Sequence, residues 1–381
     1  MTGAGPIHVC HLVSDDAWGG AEAVVAGLLT AQSARADLRV RLIALNEGGL
    51  VTLARKLGIE ATVLPETGRG FATLLREVRA RLAAAPPDIV HSHRYKENLL
   101  SYLSARRCGA RSVVTLHGEE PPAQLARRLV VGARRLVTHA IARRVGARFA
   151  AVSSDLRNRL HLSPRRCVVI PNGVRIPQVQ ELAVQREAGG AFVIGWVGRM
   201  VPVKGLSTLL EAIALLPATL GTTRLLLVGD GPVRVRLEAL ATRSGIADRI
   251  EFTGFVEYPA PLRRQMDLFA FPSLHEGIPL ALLEAMAVGI PCVAAAVGGI
   301  PEVDGGERAL RLVETHSPSD WASAIAEFLG DPEGCRALGM RGRARAAARF
   351  SLEAVVEEYR ELYEAALEAR RFNRETDLAS R

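Results

Sequence analysis

Residues 277–301 read GIPLALLEAMAVGIPCVAAAVGGIP, twenty-five positions with a single charge, Glu284. Length alone would let such a run cross a bilayer. However, Pro279, Pro291 and Pro301, with Gly289, Gly298 and Gly299, punctuate it at short intervals, and a proline inside a helix removes a donor and clashes with the preceding turn. The stretch therefore divides into a short helix over 280–288, a short buried strand over 291–295 and a turn, and a transmembrane helix is set aside. An apolar strand beside an apolar helix indicates a parallel sheet covered on both faces.

The same cadence runs outward through the chain. Apolar, β-branched runs at 7–13, 38–45, 61–64, 89–92 and 112–117 alternate with helical periodicity, and further strands follow at 149–153 and 167–170. The segment 175–190, with Pro177, three glutamines and the pair Gly189 and Gly190, breaks the rhythm and reads as a linker. The rhythm restarts with strands at 192–198, 224–229, 250–253, 268–271 and 291–295, and helices around 206–216, 233–244, 280–288 and 321–329. From 351 the apolar residues Leu352, Val355, Val356, Tyr359, Leu362, Tyr363 and Ala366 keep helical spacing, so a long terminal helix should dock on something. The expected class is α/β, two Rossmann-like doubly wound domains over residues 1–174 and 191–350, with 351–381 as the terminal helix.

A chain of 381 residues exceeds what one core usually organises, and 49% hydrophobic with 23% charged residues excludes a disordered chain. The net charge is +8, and 45 of the 48 basic residues are arginines. Between Ser101 and Ile170, 14 arginines stand against Glu119, Glu120 and Asp155, a face suited to anionic lipid, nucleic acid or a phosphorylated substrate, or simply to solvent. Aromatics make up only 5% of the chain, too few for stacking on bases, so nucleic acid is not an expected partner. Five scattered cysteines without CxxC spacing point to a reducing compartment and away from structural zinc. With no signal-like N-terminus, the expected location is cytoplasmic, extending to the inner face of the cell membrane if the arginine-rich face meets lipid.

In open parallel sheets ligands gather at the carboxyl ends of strands. After the first strand, Gly19 and Gly20 open a helix where backbone N–H groups can receive a phosphate or sugar hydroxyl, although a plain tight turn fits equally; this is not GxGxxG, which argues against a dinucleotide. His91, His93 and His117 end later strands; with only Glu119 and Glu120 as close acidic neighbours, and HxH alone no complete ligand set, they are not read as a metal site, leaving His117 as a polar active-site candidate and the other two as hydrogen-bonded strand-end residues. Arg199, with Lys204 five residues on at a helix start, can clamp a diphosphate. Glu276 hangs before Pro279, which suits a first helical position, and Glu284 lies one turn into an apolar helix where it needs a partner, either ribose hydroxyls or an arginine. The free N–H groups of that helix would receive phosphate.

Together GGAE (19–22), DIVHSH (88–93), TLHG (115–118), IPNGV (170–174), GRMVPVKG (198–205), VGDGP (228–232) and HEGIPLALLEAMAVGIPCVA (275–294) resemble family 4 of the retaining glycosyltransferases, over nearly the whole chain. The resemblance implies the GT-B fold, two Rossmann-like domains facing across a cleft, and transfer of a sugar from a UDP- or GDP-sugar to an acceptor hydroxyl, as in polysaccharide, glycolipid or other glycoconjugate synthesis. It implies a sugar, lipid-linked or small-molecule acceptor on the first domain and the donor mainly on the second, with the terminal helix crossing back to the first. Arg199 and Lys204 would hold the diphosphate and Glu284 the ribose. Glu276 and the backbone of Gly277, Ile278, Pro279 and Leu280 would hold the donor sugar and phosphate, His117 the sugar near the reacting carbon, and Gly19 with Gly20 the cleft side of the phosphate. No metal or other cofactor is expected, since no DxD motif is present. Two positions depart from the family: Arg175 follows IPNGV where many relatives have Asp, and Ile278, often aromatic there, lies where donor-sugar preference could be set. The competing expectations are an inactive nucleotide-sugar-binding scaffold, or another enzyme on this architecture such as an epimerase or a phosphorylase. A phosphorylase generally needs a pyridoxal-bound lysine, and Lys204 is the only lysine of the second domain.

Overall fold

The computed structural model describes residues 5–15, 18–118, 141–142, 144–178, 190–217, 223–257 and 259–379, from 369 onward as backbone only. The chain divides into two compact units, Met1–Pro171 with Leu352–Arg381, and Asn172–Ser351. The first break falls three residues before the expected one for a physical reason. Asn172 Nδ2 donates to the Ile278 carbonyl at 2.6 Å, and the Val174 N–H donates to the Phe350 carbonyl at 2.8 Å, so this segment is tied to the second unit. Most of the expected linker, 179–189, lies outside the described residues.

The first unit is built on β1 (Ile7–Val13), β2 (Leu38–Ala44), β3 (Glu60–Val63), β4 (Ile89–Ser92), β5 (Arg111–Leu116), β6 (Arg148–Ala151) and β7 (Cys167–Val169), all parallel in the order β3-β2-β1-β4-β5-β6-β7. Alternate side chains supply two cores. Val13, Leu42 and Ala44 pack with Val25, Leu29, Leu50 and Val51 on one side, while Cys10, Leu12, Ile43 and Val90 pack with Leu74, Val78, Leu82 and Leu100 on the other. Each such buried aliphatic side chain stabilises the fold by about 1.5 to 3 kcal/mol.

The second unit carries β8 (Phe192–Val197), β9 (Thr223–Val228), β10 (Ile250–Gly254), β11 (Leu268–Phe271), β12 (Cys292–Ala295) and β13 (Arg311–Val313), again parallel, in the order β10-β9-β8-β11-β12-β13. Strands β11 and β12 are buried at every position, as apolar runs between two helical layers must be. The opening stretch folds as read, into the helix Leu280–Ala287 followed by β12, except that Pro279 caps the helix from an extended conformation (φ −80°, ψ 123°) instead of occupying its first turn. Strand β13 is too short to show a period in sequence. In both sheets the strand order reverses beside the first strand, between β1 and β4 and between β8 and β11, the position at which open parallel sheets generally receive a ligand at their carboxyl ends.

The helix Leu352–Ala379 belongs to the first unit. Val355, Val356, Tyr359, Leu362, Tyr363 and Ala366 are buried there. Gly27 on the helix Gly20–Ser33 makes room for Leu352, whose side chain lies 2.9 Å from where a Cβ would sit. Among the described residues no helix is long and apolar enough to cross a membrane.

Candidate functional site

In the second unit, β8 runs into Gly198 and Arg199, and a single turn, Pro202–Lys204, leads through Gly205 to the helix Leu206–Leu215. Gly205 sits at φ 66°, and a Cβ there would lie 2.0 Å from the Pro272 carbonyl oxygen, so only glycine lets this turn close on the end of β11. The closure brings Lys204 Nζ to 2.5 Å from Glu276 Oε1 and 5.5 Å from the centre of the Phe271 ring. Gly298, at φ 55°, does the same from the other side, since a Cβ would lie 1.9 Å from the Glu276 carbonyl oxygen.

Two of the expected clamp residues differ in state. Lys204 is partly buried and paired, whereas Arg199 is exposed and has no ion pair among the described residues. Next to them the helix Leu280–Ala287 starts without a side-chain cap, and the N–H groups of Leu280, Ala281 and Leu282 have no acceptor among the described residues. Those free donors and the positive helix end favour an anion. Glu284 forms an ion pair with Arg263, whose side chain is 8% exposed against 38% for the glutamate. Burial raises the Glu284 carboxyl above its ordinary range and the Arg263 charge only partly offsets this. The arginine alternative is thus the one this structure shows. Arg263, on the short helix Ala260–Arg263, has no sequence signal beyond its charge.

Ile278 is 4% exposed and its carbonyl accepts from Asn172, so its side chain packs into the second unit and only its backbone remains for the ligand contact expected there. Gly277 and Leu280 remain accessible in part, whereas Pro279 is buried.

In the first unit, Asp15 takes the left-handed region (φ 61°) and accepts from the N–H groups of Leu50 and Val51 at 3.1 and 3.0 Å, anchoring the loop after β1. Beyond it Gly19 caps the helix Gly20–Ser33 without a side-chain bond, and a Cβ on Gly20 would meet open space. Glu22 is buried in that first turn and pairs with Arg94, and Glu97, pushed up by burial, accepts from Ser14. The sequence motifs contain Glu22 but gave no hint of these partners.

His117 ends β5 on the same edge. Burial, helped by the Arg94 charge, pushes its imidazole down to about 4, so it is neutral at pH 7. His93 Nδ1 lies 3.3 Å from His117 Nε2, while His117 Nδ1 is buried without a partner among the described residues. His11, which no motif singled out, stacks against His93 at 5.4 Å and lies 4.9 Å from His91. Both nitrogens of His91 are engaged, by Tyr363 and Thr115 at 2.8 Å each. His11, His91 and His93 bring one ring nitrogen each within 4.8 Å of one another, close enough to be a candidate set for a metal ion, while in this structure every ring nitrogen of the three has a hydrogen-bond partner.

Residues 18–176 match Glycosyltransferase Family 4, and residues 191–331 match Glycosyl transferases group 1. The D-inositol 3-phosphate glycosyltransferase of Salinispora tropica is 33% identical over 80% of this chain and 70% of its own length, and that of Thermobispora bispora 31% identical over 74% and 71%. The crystal structure of Anabaena HepE in complex with UDP superposes with a TM-score of 0.81 at 21% identity, covering 94% of this chain and all of that one. Sucrose-phosphate synthase from Thermosynechococcus elongatus gives 0.75 at 24% identity, over 95% of this chain and 100% of its own.

Proposed function

The chain belongs to glycosyltransferase family 4, with the GT-B fold, and from that premise we propose that it transfers a sugar, with retention of anomeric configuration and without a metal, from a UDP-sugar to an acceptor hydroxyl. The observation that carries this is the second unit's carboxyl edge. There Lys204 is held against Glu276 beside an exposed Arg199 and an uncapped helix N-terminus. UDP is preferred to GDP because HepE is described with UDP and with UDP-glucose. Lys204 and Arg199 would take the diphosphate with the N–H groups of 280–282, Glu284 would exchange part of its Arg263 contact for ribose hydroxyls, and Glu276 would turn to the donor sugar.

In this scheme the acceptor hydroxyl attacks the anomeric carbon on the face that the diphosphate leaves. The carbon–oxygen bond to the phosphate breaks as the new glycosidic bond forms, and a phosphate oxygen of the departing UDP takes the hydroxyl proton. No protein nucleophile is required. The side chains act electrostatically on charge developing on the diphosphate, worth about 3 to 4 kcal/mol per well-placed donor. The acceptor would bind the first unit, where His117, Gly19 and Gly20 lie. The relatives' names make a phosphorylated polyol such as D-inositol 3-phosphate the first acceptor to try. A lipid-linked acceptor in polysaccharide synthesis at the inner membrane face rests on the arginine-rich stretch, whose residues 119–140 and 143 lie outside the described residues.

Thermal unfolding with UDP, GDP, ADP, NAD and pyridoxal phosphate tests the donor site, because a ligand that binds the folded state raises the midpoint. UDP should stabilise the wild type and fail to stabilise Lys204→Ala and Glu284→Ala. Release of UDP from UDP-glucose that depends on an acceptor completes the case. Stabilisation without turnover against any acceptor would make the protein a binding scaffold, and a shift with NAD alone would remove the donor-site assignment.

A further inference from the structure

Eight buried or half-buried groups of the first unit form one unbranched chain of hydrogen bonds. From His117 it passes to His93 (3.3 Å), His11 (3.1 Å), the Gln32 amide (2.8 Å), the Tyr363 hydroxyl (3.1 Å), His91 (2.8 Å), Thr115 (2.8 Å) and the Tyr359 hydroxyl (2.7 Å). His11, His91, Gln32, Thr115 and Tyr363 are fully buried, and His93 is 5% exposed. Each imidazole in the chain bonds through both nitrogens except His117, whose Nδ1 is buried and has no partner among the described residues.

In such a chain a neutral imidazole donates at one nitrogen and accepts at the other, so one proton position fixes the next. Gln32 sets the direction. Its Oε1 faces His11 and its Nε2 donates to Tyr363, so His11 must carry its proton on Nε2 and accept at Nδ1. His93 must then donate from Nε2 to His11, which leaves His93 Nδ1 to accept from His117 Nε2–H. The far end of the sequence thereby acts on the site, because Tyr363 of the terminal helix holds the other end of the same amide.

We propose that His93, His11 and Gln32 are positioning residues that lock His117 in the Nε2–H tautomer, so that its bare Nδ1 accepts a hydrogen bond from a substrate hydroxyl. The proposal rests on the reading of His117 as a sugar-facing group, and it makes that residue an acceptor, selective for a hydroxyl and unfavourable toward a phosphate or carbonyl oxygen. A turned Gln32 amide would reverse every bond and put the proton on His117 Nδ1, so the two directions make opposite statements about the site.

The experiment is two-bond 1H–15N NMR of the full chain labelled with [15N]histidine, at pH 7 and without ligand, with His117→Gln used to assign the signal. The wild type should show His117 as the Nε2–H tautomer. His93→Phe should give a mixture of tautomers, while His93→Gln, whose amide can accept from His117 and donate to His11, should restore the single form. UDP-glucose turnover should fall between about two- and tenfold in the first variant, no further than when the His117 bond is removed outright, and recover in the second. A wild-type signal from the Nδ1–H form, or an averaged one, overturns the proposal, as does a single unchanged tautomer in folded His93→Phe. If that variant does not fold, Gln32→Met serves in its place with the same expectation of a mixture. Because the tautomer is read without substrate, the proposal can fail while transferase activity stands, and activity can fail while the tautomer holds.

Discussion

The two sheets share a strand order and differ in what ends their strands. At the carboxyl edge of the second sheet the groups are charged: Lys204 with Glu276, Arg263 with Glu284, and exposed Arg199. Toward that of the first, beside the Glu22–Arg94 ion pair, His11 and His91 inside their strands and His93 and His117 beyond them are kept neutral mainly by burial and are joined to hydroxyls and an amide. Fixed charge suits a leaving diphosphate, whereas neutral directional bonds suit hydroxyls, which differ in position and not in charge. One architecture, present twice, has thus been given two chemistries by a few residues in and just beyond its strands.

The largest expected effect tests that division directly. Lys204→Ala should lower kcat/KM for UDP-glucose by about 10²- to 10³-fold, the loss typical of one preorganised electrostatic donor. His117→Asn removes a neutral hydrogen bond and should cost only about tenfold. Steady-state kinetics of both variants decides it, and the reverse ranking would break the contrast between the edges.

Much of this was legible in the residues. The restart of the strand rhythm at Phe192 announces a second sheet, and the spacing of Val355, Val356, Tyr359, Leu362 and Tyr363 announces a docked helix, because burial imposes a period that composition cannot hide. Arg199, Lys204, Glu276 and Glu284 stood out because charge next to an apolar strand or helix is costly without purpose. Pairings were not legible. Nothing near Glu284 in sequence names Arg263, and nothing near His91 names Tyr363, 272 positions away. His11 was hidden inside an apolar strand where the period only says that it is buried.

The next effect concerns the neutral edge. Buried His11 and half-buried His117 have pKa values near 4 in the folded protein against about 6.5 unfolded. Between those values the unfolded chain binds more protons, so stability is full above pH 6.5 and falls as pH drops toward 4. At pH 5 the loss is about 2 kcal/mol for one such histidine. Among the described residues the second unit has no buried histidine, so peptide-resolved hydrogen exchange, corrected for intrinsic rates, should show the first unit loosening on passing from pH 7 to 5 and the second holding. Equal loosening of both units would end the distinction.

Smaller still is the expected cost of Glu284→Gln. It leaves Arg263 buried without an opposite charge, a change worth 3 to 5 kcal/mol in a fully buried pair and about 1 to 2 kcal/mol here, because the glutamate side chain is 38% exposed. Urea unfolding measures it. The same variant should also lose the UDP-induced rise in Tm if, as proposed, the carboxylate that pairs with Arg263 also takes the ribose. Loss of stability with the UDP response intact would make Glu284 a structural partner only.

Ile278 gives the mildest and most specific test of where the ionic edge stops. The loop that delivers Glu276 to Lys204 continues two residues on into an apolar side chain that is 4% exposed, held by Asn172 at its carbonyl. A residue so placed acts through packing: Ile278→Val removes one methyl and should cost about 1 kcal/mol in stability. Its KM for UDP-glucose and its preference among UDP-sugars should stay within twofold of wild type, because a buried methyl lost from behind the loop does not alter the charges in front of it. A changed sugar preference at unchanged stability would return Ile278 to the donor pocket and extend the ligand-contacting edge one turn closer to the helix, with backbone and side chain then sharing the discrimination that is here assigned to the charges alone.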